Sequence, residues 1–464
     1  MIRLFVILSI LLFSQNSFAA LTSDSAWEVR TTGDNTNGSC YDTGGSGTDY
    51  SQQDAAQLSL TDLTTSGAGA TTITSVTGGF TSQMVDNCIR IASGTNFTAG
   101  YYEIVTFTDT NNVVLDRTPT AGGAGSVGAG KVGGAAADPE QVTSGVVAGN
   151  TVWIKAGTYS VTVNTDTAGS GGSAIQWIGY NASRGDWPRG TDRPLIDCAD
   201  TRGNGVVSDV DFQQWYNLRV QDCTGTGFAL SNDNAFVWNV KSSSNTGAGF
   251  SQVDGSTAYA FFEIESASNG VEGVDGNIAS TVGGSYYSSY IHDNSGEGIS
   301  AGAGSIFFNT IIAQNGGDGV SDVSRALNSV SWGNTGVNSD GWDEIDSQLE
   351  TLINTVGSEN GRMGFVGTAN VENIFDYNQY EGNSSAGLSN QTAGDNDVTA
   401  DAAFTDGAND DFTVGSTSSL INAGSPGSNM AIGLAGTYKN NIGVDQDDTV
   451  TAGGGSTDLL GVIQ

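Results

Sequence analysis

A six-residue phrase, Asn-x-x-x-Gly-apolar, returns along the second half of the chain and constrains its fold more than any other feature. It reads Asn245 to Gly249-Phe250, Asn269 to Gly273-Val274, Asn294 to Gly298-Ile299, Asn315 to Gly319-Val320, Asn360 to Gly364-Phe365 and Asn383 to Gly387-Leu388. A degenerate copy begins at Asn334, and Thr201 to Gly205-Val206 and Cys223 to Gly227-Phe228 keep the spacing without the Asn. Successive Asn residues lie 19 to 26 positions apart. A period of about 22 residues, broken by Gly and by short β-branched or aromatic runs, is the length of one coil of a β-solenoid.

One coil cannot bury its apolar face alone, whereas stacked coils share a continuous core. The phrase therefore predicts that Phe228, Phe250, Val274, Ile299, Val320 and Phe365 form one inward column. Leu218, Val240 and Ile264 share a second offset, and Val220, Ile291 and Ile312 sit two residues later. Side chains alternate along a strand, so both sets point inward. The Gly permits a tight turn, and the Asn suits a ladder in which each amide bonds the Asn of the next coil. With 67 Gly and only five Pro, the remaining composition is that of strands and turns.

The segment Ala148-Gly149-Asn150-Thr151-Val152-Trp153-Ile154-Lys155-Ala156-Gly157-Thr158-Tyr159 resembles the opening coil of right-handed parallel β-helix proteins of the pectate-lyase-like superfamily, where a strand of the type GDTVYIKAGTY commonly follows a capping helix. Asp401-Ala402-Ala403-Phe404, Asp411-Phe412-Thr413-Val414 and Ser419 to Ser425 resemble the closing segment of many such proteins. The fold expected is all-β: a right-handed parallel β-helix with a short capping helix near Asp138 to Val147, where Pro139 suits a first turn. Ala26 to Arg30 reads as a capping strand. Hairpin patterning from Thr71 to Arg117 reads as a small inserted β-domain, with Thr120 to Ala137 as its return linker. The expected divisions are a targeting segment over 1–19, the capping strand and insert over 20–135, the β-helix over 136–400, and a closing segment and tail over 401–464.

Residues 1–19 combine Arg3, the apolar run Leu4 to Phe13 and the small-residue site Ser17-Phe18-Ala19, the pattern of an export signal. No segment is long and apolar enough to insert in a membrane. The expected location is thus secreted, extracellular or at the cell surface, with the periplasm as a further option. Four cysteines agree with an oxidising compartment. Cys198 and Cys223 are 25 residues apart, about one coil, which suits a disulfide between stacked strands. Cys40 and Cys88 pair by elimination, buried free thiols being the alternative.

The net charge is −35, which disfavours nucleic acid and anionic membranes as partners. Residues 155–241 hold seven of the 15 Lys and Arg against nine carboxylates, whereas 242–464 hold three against 28. The basic residues are therefore concentrated in the early coils. Arg184, Arg189 and Arg193 share the stretch Asn181 to Pro194 with Trp187, a loop long enough to overhang a groove. Arg219, Lys241 and Glu265 share one offset in successive coils on the side opposite the core, about 5 Å apart when stacked. His292 has the same parity two residues later, so it reaches Glu265 from the side. Lys241, Glu265 and His292 are the candidate acid–base group; a surface ladder of cross-strand pairs is the plain alternative. Arg184, Trp187, Arg189, Arg219 and Trp342 are the candidate substrate contacts. Asp340, Asp343, Glu344 and Asp346 form an acidic loop with the oxygen ligands calcium prefers.

The resemblance implies that a lyase of this fold uses Arg or Lys to take the proton beside a uronate carboxylate, which calcium often neutralises. Against catalysis, the positions after each Gly-apolar step are small and uncharged at Ala229, Ser251, Ser300 and Ser321, with Asp275 the exception. The reading is a secreted or cell-surface β-helix protein that interacts with polysaccharide or a surface, its catalysis left open. A polysaccharide lyase on an acidic glycan and an adhesin or spike-like subunit are the alternatives.

Overall fold

A computed structural model describes residues 21–423, apart from 23, 232, 253–258, 277–282, 344–350, 368–373, 415–417 and 421–422. The proposed export signal, Glu344 and Asp346 lie outside the described residues.

The repeat builds a parallel β-helix. Each coil contributes one short strand to each of three parallel columns. In the coil that carries Asn245 these strands are Phe236–Trp238, Lys241–Ser243 and Phe250–Gln252. Among the described residues the column that contains Lys241–Ser243, which runs from Thr158–Tyr159 to Val356–Ser358, has nine parallel strands, one for each coil. The other two columns are joined by Ile299–Phe308 and Val320–Leu327, which run through the corner between them. Columns are named here by the coil above: the Phe250 column, the Phe236 column and the Lys241 column.

Register follows the phrase. Val206, Phe228, Phe250, Val274, Ile299 and Val320 pair in sequence, continue to Trp342 and Phe365, and are all buried. The Phe228 and Phe250 rings stack at 5.4 Å, and Phe261, Tyr286 and Phe307 stack at 5.2 and 4.9 Å in the Phe236 column. Strand neighbours about 4.8 Å apart force identical positions into contact, so an aromatic in one coil selects an aromatic above it.

Two turns shape each coil. Between the Phe236 and Lys241 columns a single residue takes the left-handed conformation, at Asn217 (φ 57°), Asn239 (φ 53°), Glu263 (φ 52°) and Asn309 (φ 51°), among others. Asn tolerates that region better than most residues. After the Lys241 column comes the repeat Asn. Nδ2 of Asn245 donates to Oδ1 of Asn269 at 2.9 Å, Asn269 to Asn294 at 2.8 Å, Asn294 to Asn315 at 2.9 Å and Asn315 to Asn334 at 3.1 Å. Asn334 to Asn360 and Asn360 to Asn383 complete the run at 2.8 and 3.0 Å. The predicted ladder is present, and each Oδ1 also accepts the main-chain N–H of the preceding Asn. Close approach explains the Gly: a Cβ on Gly249 would lie 2.0 Å from Ser266 Oγ.

The N-terminus differs from expectation in one respect. The capping helix is absent, and Glu140–Val142 forms a single 3-10 turn instead. Beyond it Gly145 and Val146 both donate to the Val142 carbonyl in an irregular turn, and a Cβ on Gly145 would lie 2.4 Å from the Trp27 ring. The capping strand Ser25–Val29 pairs in parallel with Thr151–Lys155 and covers the first coil. The insert is a closed antiparallel sheet of six strands from Leu58–Thr65 to Ser126–Val132, so part of the stretch read as a linker is its last strand. Both disulfides form, Cys40–Cys88 and Cys198–Cys223, with Cα atoms 5.2 and 4.7 Å apart. Among the described residues no helix is long and apolar enough to cross a membrane.

Candidate functional site

The outer face of the Lys241 column changes character along its length. Its outward positions read Arg219 and Gln221, Lys241 and Ser243, Glu265 and Ala267, then Tyr290 and His292, then Ile311 and Ala313. The apolar half is covered. The hairpin Phe404–Asp406 and Asp411–Val414 folds back over it, and Ala402, Phe412 and Leu420 are buried with Ile311, Ala313, Val330 and Val356. The polar half stays open and forms a pocket of about 250 Å³ lined by Arg193, Arg219, Lys241 and Glu265, with Gly190 and Thr191 at its rim.

Glu265 is the centre of the charges. Its Oε1 accepts from Lys241 Nζ at 2.6 Å and faces His292 Nε2 at 3.6 Å, while Arg193 Nη2 stands 4.0 Å from Oε2. Burial alone raises a carboxyl pKa, but His292 and Lys241 outweigh it and hold Glu265 at about 2, so it is ionised at neutral pH. Burial also disfavours a charged His292, yet Glu265 and Asp293 together raise its pKa above the ordinary value. Nδ1 meets Asp293 Oδ2 at 2.9 Å, and the ring stacks on Tyr290 at 3.9 Å. Nε2 keeps no hydrogen-bond partner within normal reach.

The loop from Asn181 to Pro194 does overhang, but its residues separate. Arg193 is nearly buried, donates to the carbonyl of Asn239 at 3.0 Å and to its Oδ1 at 3.2 Å, and braces the bend beside Lys241. Burial lowers its pKa, the Glu265 charge opposes this, and Arg219 and Arg189 add to the lowering, which leaves it at about 10. Arg219 donates to the carbonyls of Arg193 (3.2 Å) and Thr191 (3.1 Å) and makes no ion pair among the described residues. Burial lowers its pKa, with the Asp192 charge acting in the opposite direction. Arg189 pairs with Glu263 at the rim.

Three candidate contacts lie elsewhere. Arg184 ties the loop to the capping strand, with Nε 2.7 Å from Glu28 Oε2 and Nη1 2.9 Å from Asp49; a fully buried Glu28 demands that pairing. Trp187 packs on the neighbouring sheet, with its ring tilted 5.5 Å from Trp238 and edge-on 6.3 Å from Tyr216. Trp342 belongs to the core column and is 1% exposed; its Nε1 donates to the carbonyl of Val356. The degenerate copy explains the misplacement. Asn334 stands seven residues before Gly341 where other copies have four, so Trp342 is the apolar residue after the Gly and points inward.

The acidic loop is also rearranged. Asp340 is fully buried, and both of its oxygens bind Arg362, Nε at 2.8 Å. Oδ1 further accepts from the Met363 main chain at 3.0 Å. An aspartate so engaged does not fit a calcium ligand. Asp343 has its pKa pushed up to about 7, by burial first and then by the charges of Asp318 and Asp340. It stands on the outer face of the Phe250 column, beside Ser321 and Val366.

Sequence reasoning missed Arg193 as a pocket residue. Its signal was present: an Arg just before Pro194 at the end of a long loop, ahead of a coil with Arg219 in the outward position. It also missed the outward aromatic column Tyr216, Trp238, Phe262, Tyr287 and Phe308, which the strand register makes continuous.

No protein-family model matches the sequence, and no curated protein matches it. Among solved structures, the chain is similar to pectate lyase Pel9A at a TM-score of 0.50 and 16% identity, over 67% of this chain and 91% of that one. The two share the parallel β-helix fold. The chain is also similar to the A-module of the Azotobacter vinelandii mannuronan C-5 epimerase AlgE4 (TM-score 0.31, 16% identity, 54% and 91% covered). An alginate lyase from Paenibacillus sp. str. FPU-7 gives a TM-score of 0.39 at 12% identity, over 55% and 95% of the two chains.

Proposed function

We propose that this chain is a secreted, polysaccharide-interacting β-helix protein whose pocket holds the carboxylate of an acidic glycan. One observation carries the reading: three cations, Arg193, Arg219 and Lys241, converge with a single carboxylate on a chain of net charge −35. Stacking basic residues in adjacent coils costs repulsion, which is repaid when an anion sits between them. Arg219 has the geometry to meet a carboxylate with its remaining N–H groups. The shared fold with a protein named as a pectate lyase points in the same direction. Calorimetric titration with galacturonate and mannuronate oligosaccharides, against neutral glucans, tests the reading. Binding confined to the acidic series supports it, and equal or absent binding overturns it.

Lyase activity is the second reading, favoured by the position of Lys241 between Arg219 and Glu265. In that reaction the Lys241 amine, once deprotonated, takes the proton next to the bound carboxylate. The glycosidic bond one carbon further breaks, its electron pair leaves on the departing sugar oxygen, which takes a proton from water, and a double bond conjugated with the carboxylate forms. Growth of ultraviolet absorbance on incubation with uronate polymers tests it. A flat trace with intact binding leaves a binding protein.

A further inference from the structure

The pocket is a dead end. Its floor is the open stretch of the Lys241 column from the Arg219 strand to the Glu265 strand, about 10 Å at two strand spacings, and the Tyr290 strand lies just beyond its far end. The far end of that floor is closed by the C-terminal hairpin. Asp410, in the left-handed turn between its two strands, bonds the hydroxyl of Tyr290, and Phe412 packs edge-on to the same ring with centroids 6.4 Å apart. At the near end Thr191 holds the Arg219 guanidinium through its carbonyl. The lateral edge beside the Phe236 column is closed by the same loop. Pro188 accepts from Asn239 Nδ2 at 2.9 Å, Arg189 pairs with Glu263 one coil further on, and Arg193 bonds the carbonyl of Asn239. Among the described residues neither the loop nor the hairpin bonds across the edge toward Gln221 and Ser243.

A polymer lying along or across this face has to cross either the hairpin or the loop. Both are tied down on several coils, the loop by buried bonds of Arg193 and Asn239 and the hairpin by a core of its own. The volume points the same way, since about 250 Å³ falls below the range of roughly 300–1,000 Å³ usual for drug-sized ligands.

We propose that the pocket reads a chain terminus: it takes the end residue of an acidic polysaccharide, carboxylate first, and excludes the interior of the chain. The inference rests on the acidic-glycan reading above and adds to it which part of the polymer is bound.

The test is a calorimetric titration of the full chain with a single uronate, its dimer, its trimer, and size-fractionated polymers of the same uronate. Terminus recognition predicts affinity that stops rising by the trimer. It also predicts a number of sites per gram of polymer that falls in inverse proportion to polymer length. Sites per gram that stay constant with length overturn terminus recognition and leave the acidic-glycan reading standing. Absence of binding to every uronate overturns both. An Asp410→Ala, Tyr290→Phe variant, which loosens the hairpin wall outside the pocket, is expected to gain at least about tenfold in affinity for polymer over trimer. A variant that folds as the parent does, by melting temperature, and shows no such gain overturns the assignment of the hairpin as the wall.

Discussion

Lys241 Nζ lies 2.6 Å from Glu265 Oε1 although the two residues are 24 positions apart in the chain. They are directly paired in adjacent strands, so one period of the repeat converts a sequence separation into a contact. His292 enters the same group from two residues further along the next strand. The ion pair is partly exposed on both sides, so its share of folding stability is small and its effect is on the pocket's charge.

Removing that charge gives the first prediction. Lys241→Met and Arg219→Met are each expected to weaken uronate oligosaccharide binding by about tenfold, roughly 1.4 kcal/mol, with a melting temperature close to the parent's. Glu265→Gln is expected to act in the opposite direction, because it removes the pocket's only anion. Isothermal titration at low ionic strength reads all three, and a Glu265→Gln variant that binds more weakly than the parent contradicts the arrangement.

Most of the fold was legible in the sequence because the repeat carries two independent signals in each coil. The Gly-apolar step fixes the inward column, and the Asn fixes the turn, so Phe250 and Asn245 report the same coil twice. Legibility fails where the spacing changes. The three extra residues between Asn334 and Gly341 hid the inward position of Trp342, and a loop with no period gave no means of telling Arg184, which ties down the N-terminal cap, from Arg193, which lines the pocket. The triad Lys241, Glu265 and His292 was readable since all three lie on periodic strands. The capping helix was expected because Pro139 and the following residues suit one, but the segment closes a 3-10 turn and then an irregular turn on the Val142 carbonyl.

The ladder gives a stability prediction. Asn294 is buried, its Oδ1 accepts from the main chain and side chain of Asn269, and its Nδ2 donates to Asn315. Asn294→Ala leaves the buried main-chain N–H of Asn269 without a partner and removes one side-chain bond each from Asn269 and Asn315, which keep others, at a cost of about 1–3 kcal/mol. Gly249→Ala is expected to cost about 1–3 kcal/mol by forcing Ser266 and Asn269 apart. Urea unfolding of both variants measures the loss. A loss below about 1 kcal/mol at Asn294 argues that water replaces the ladder.

Calcium independence is the third prediction. The positive charge that faces a bound carboxylate comes from Arg219, Lys241 and Arg193, and Asp340 is engaged by Arg362. Uronate binding is therefore expected to persist within about twofold in excess chelator. A loss of binding restored by added calcium contradicts it and returns attention to Asp343 and its neighbours.

Asp343 and His292 both make stability fall as pH rises, in different windows, and their substitutions act in opposite directions. Asp343 is ordinarily ionised above about 3.8, but its pKa in the folded chain is about 7. Between those values the unfolded chain has released a proton that the folded chain retains, so stability falls as pH rises through that window and levels off above it. Asp343→Asn removes the penalty and is expected to raise the melting temperature at pH 8 by on the order of 2–4 °C, with no gain at pH 3.5. His292 is also raised, but its protonated form is the favoured partner of Glu265 and Asp293. Its contribution is complete below about 6.5 and is lost as pH rises through the folded value. His292→Gln is therefore expected to lower stability at pH 5.5 and to leave it nearly unchanged at pH 9. Glu265, held at about 2, contributes above its ordinary 4.5 and loses that contribution as pH falls below it. Melting curves of the parent and both variants from pH 3.5 to 9 separate Asp343 from His292. If Asp343→Asn stabilises equally at pH 3.5 and pH 8, the gain has a source other than the proton held on Asp343.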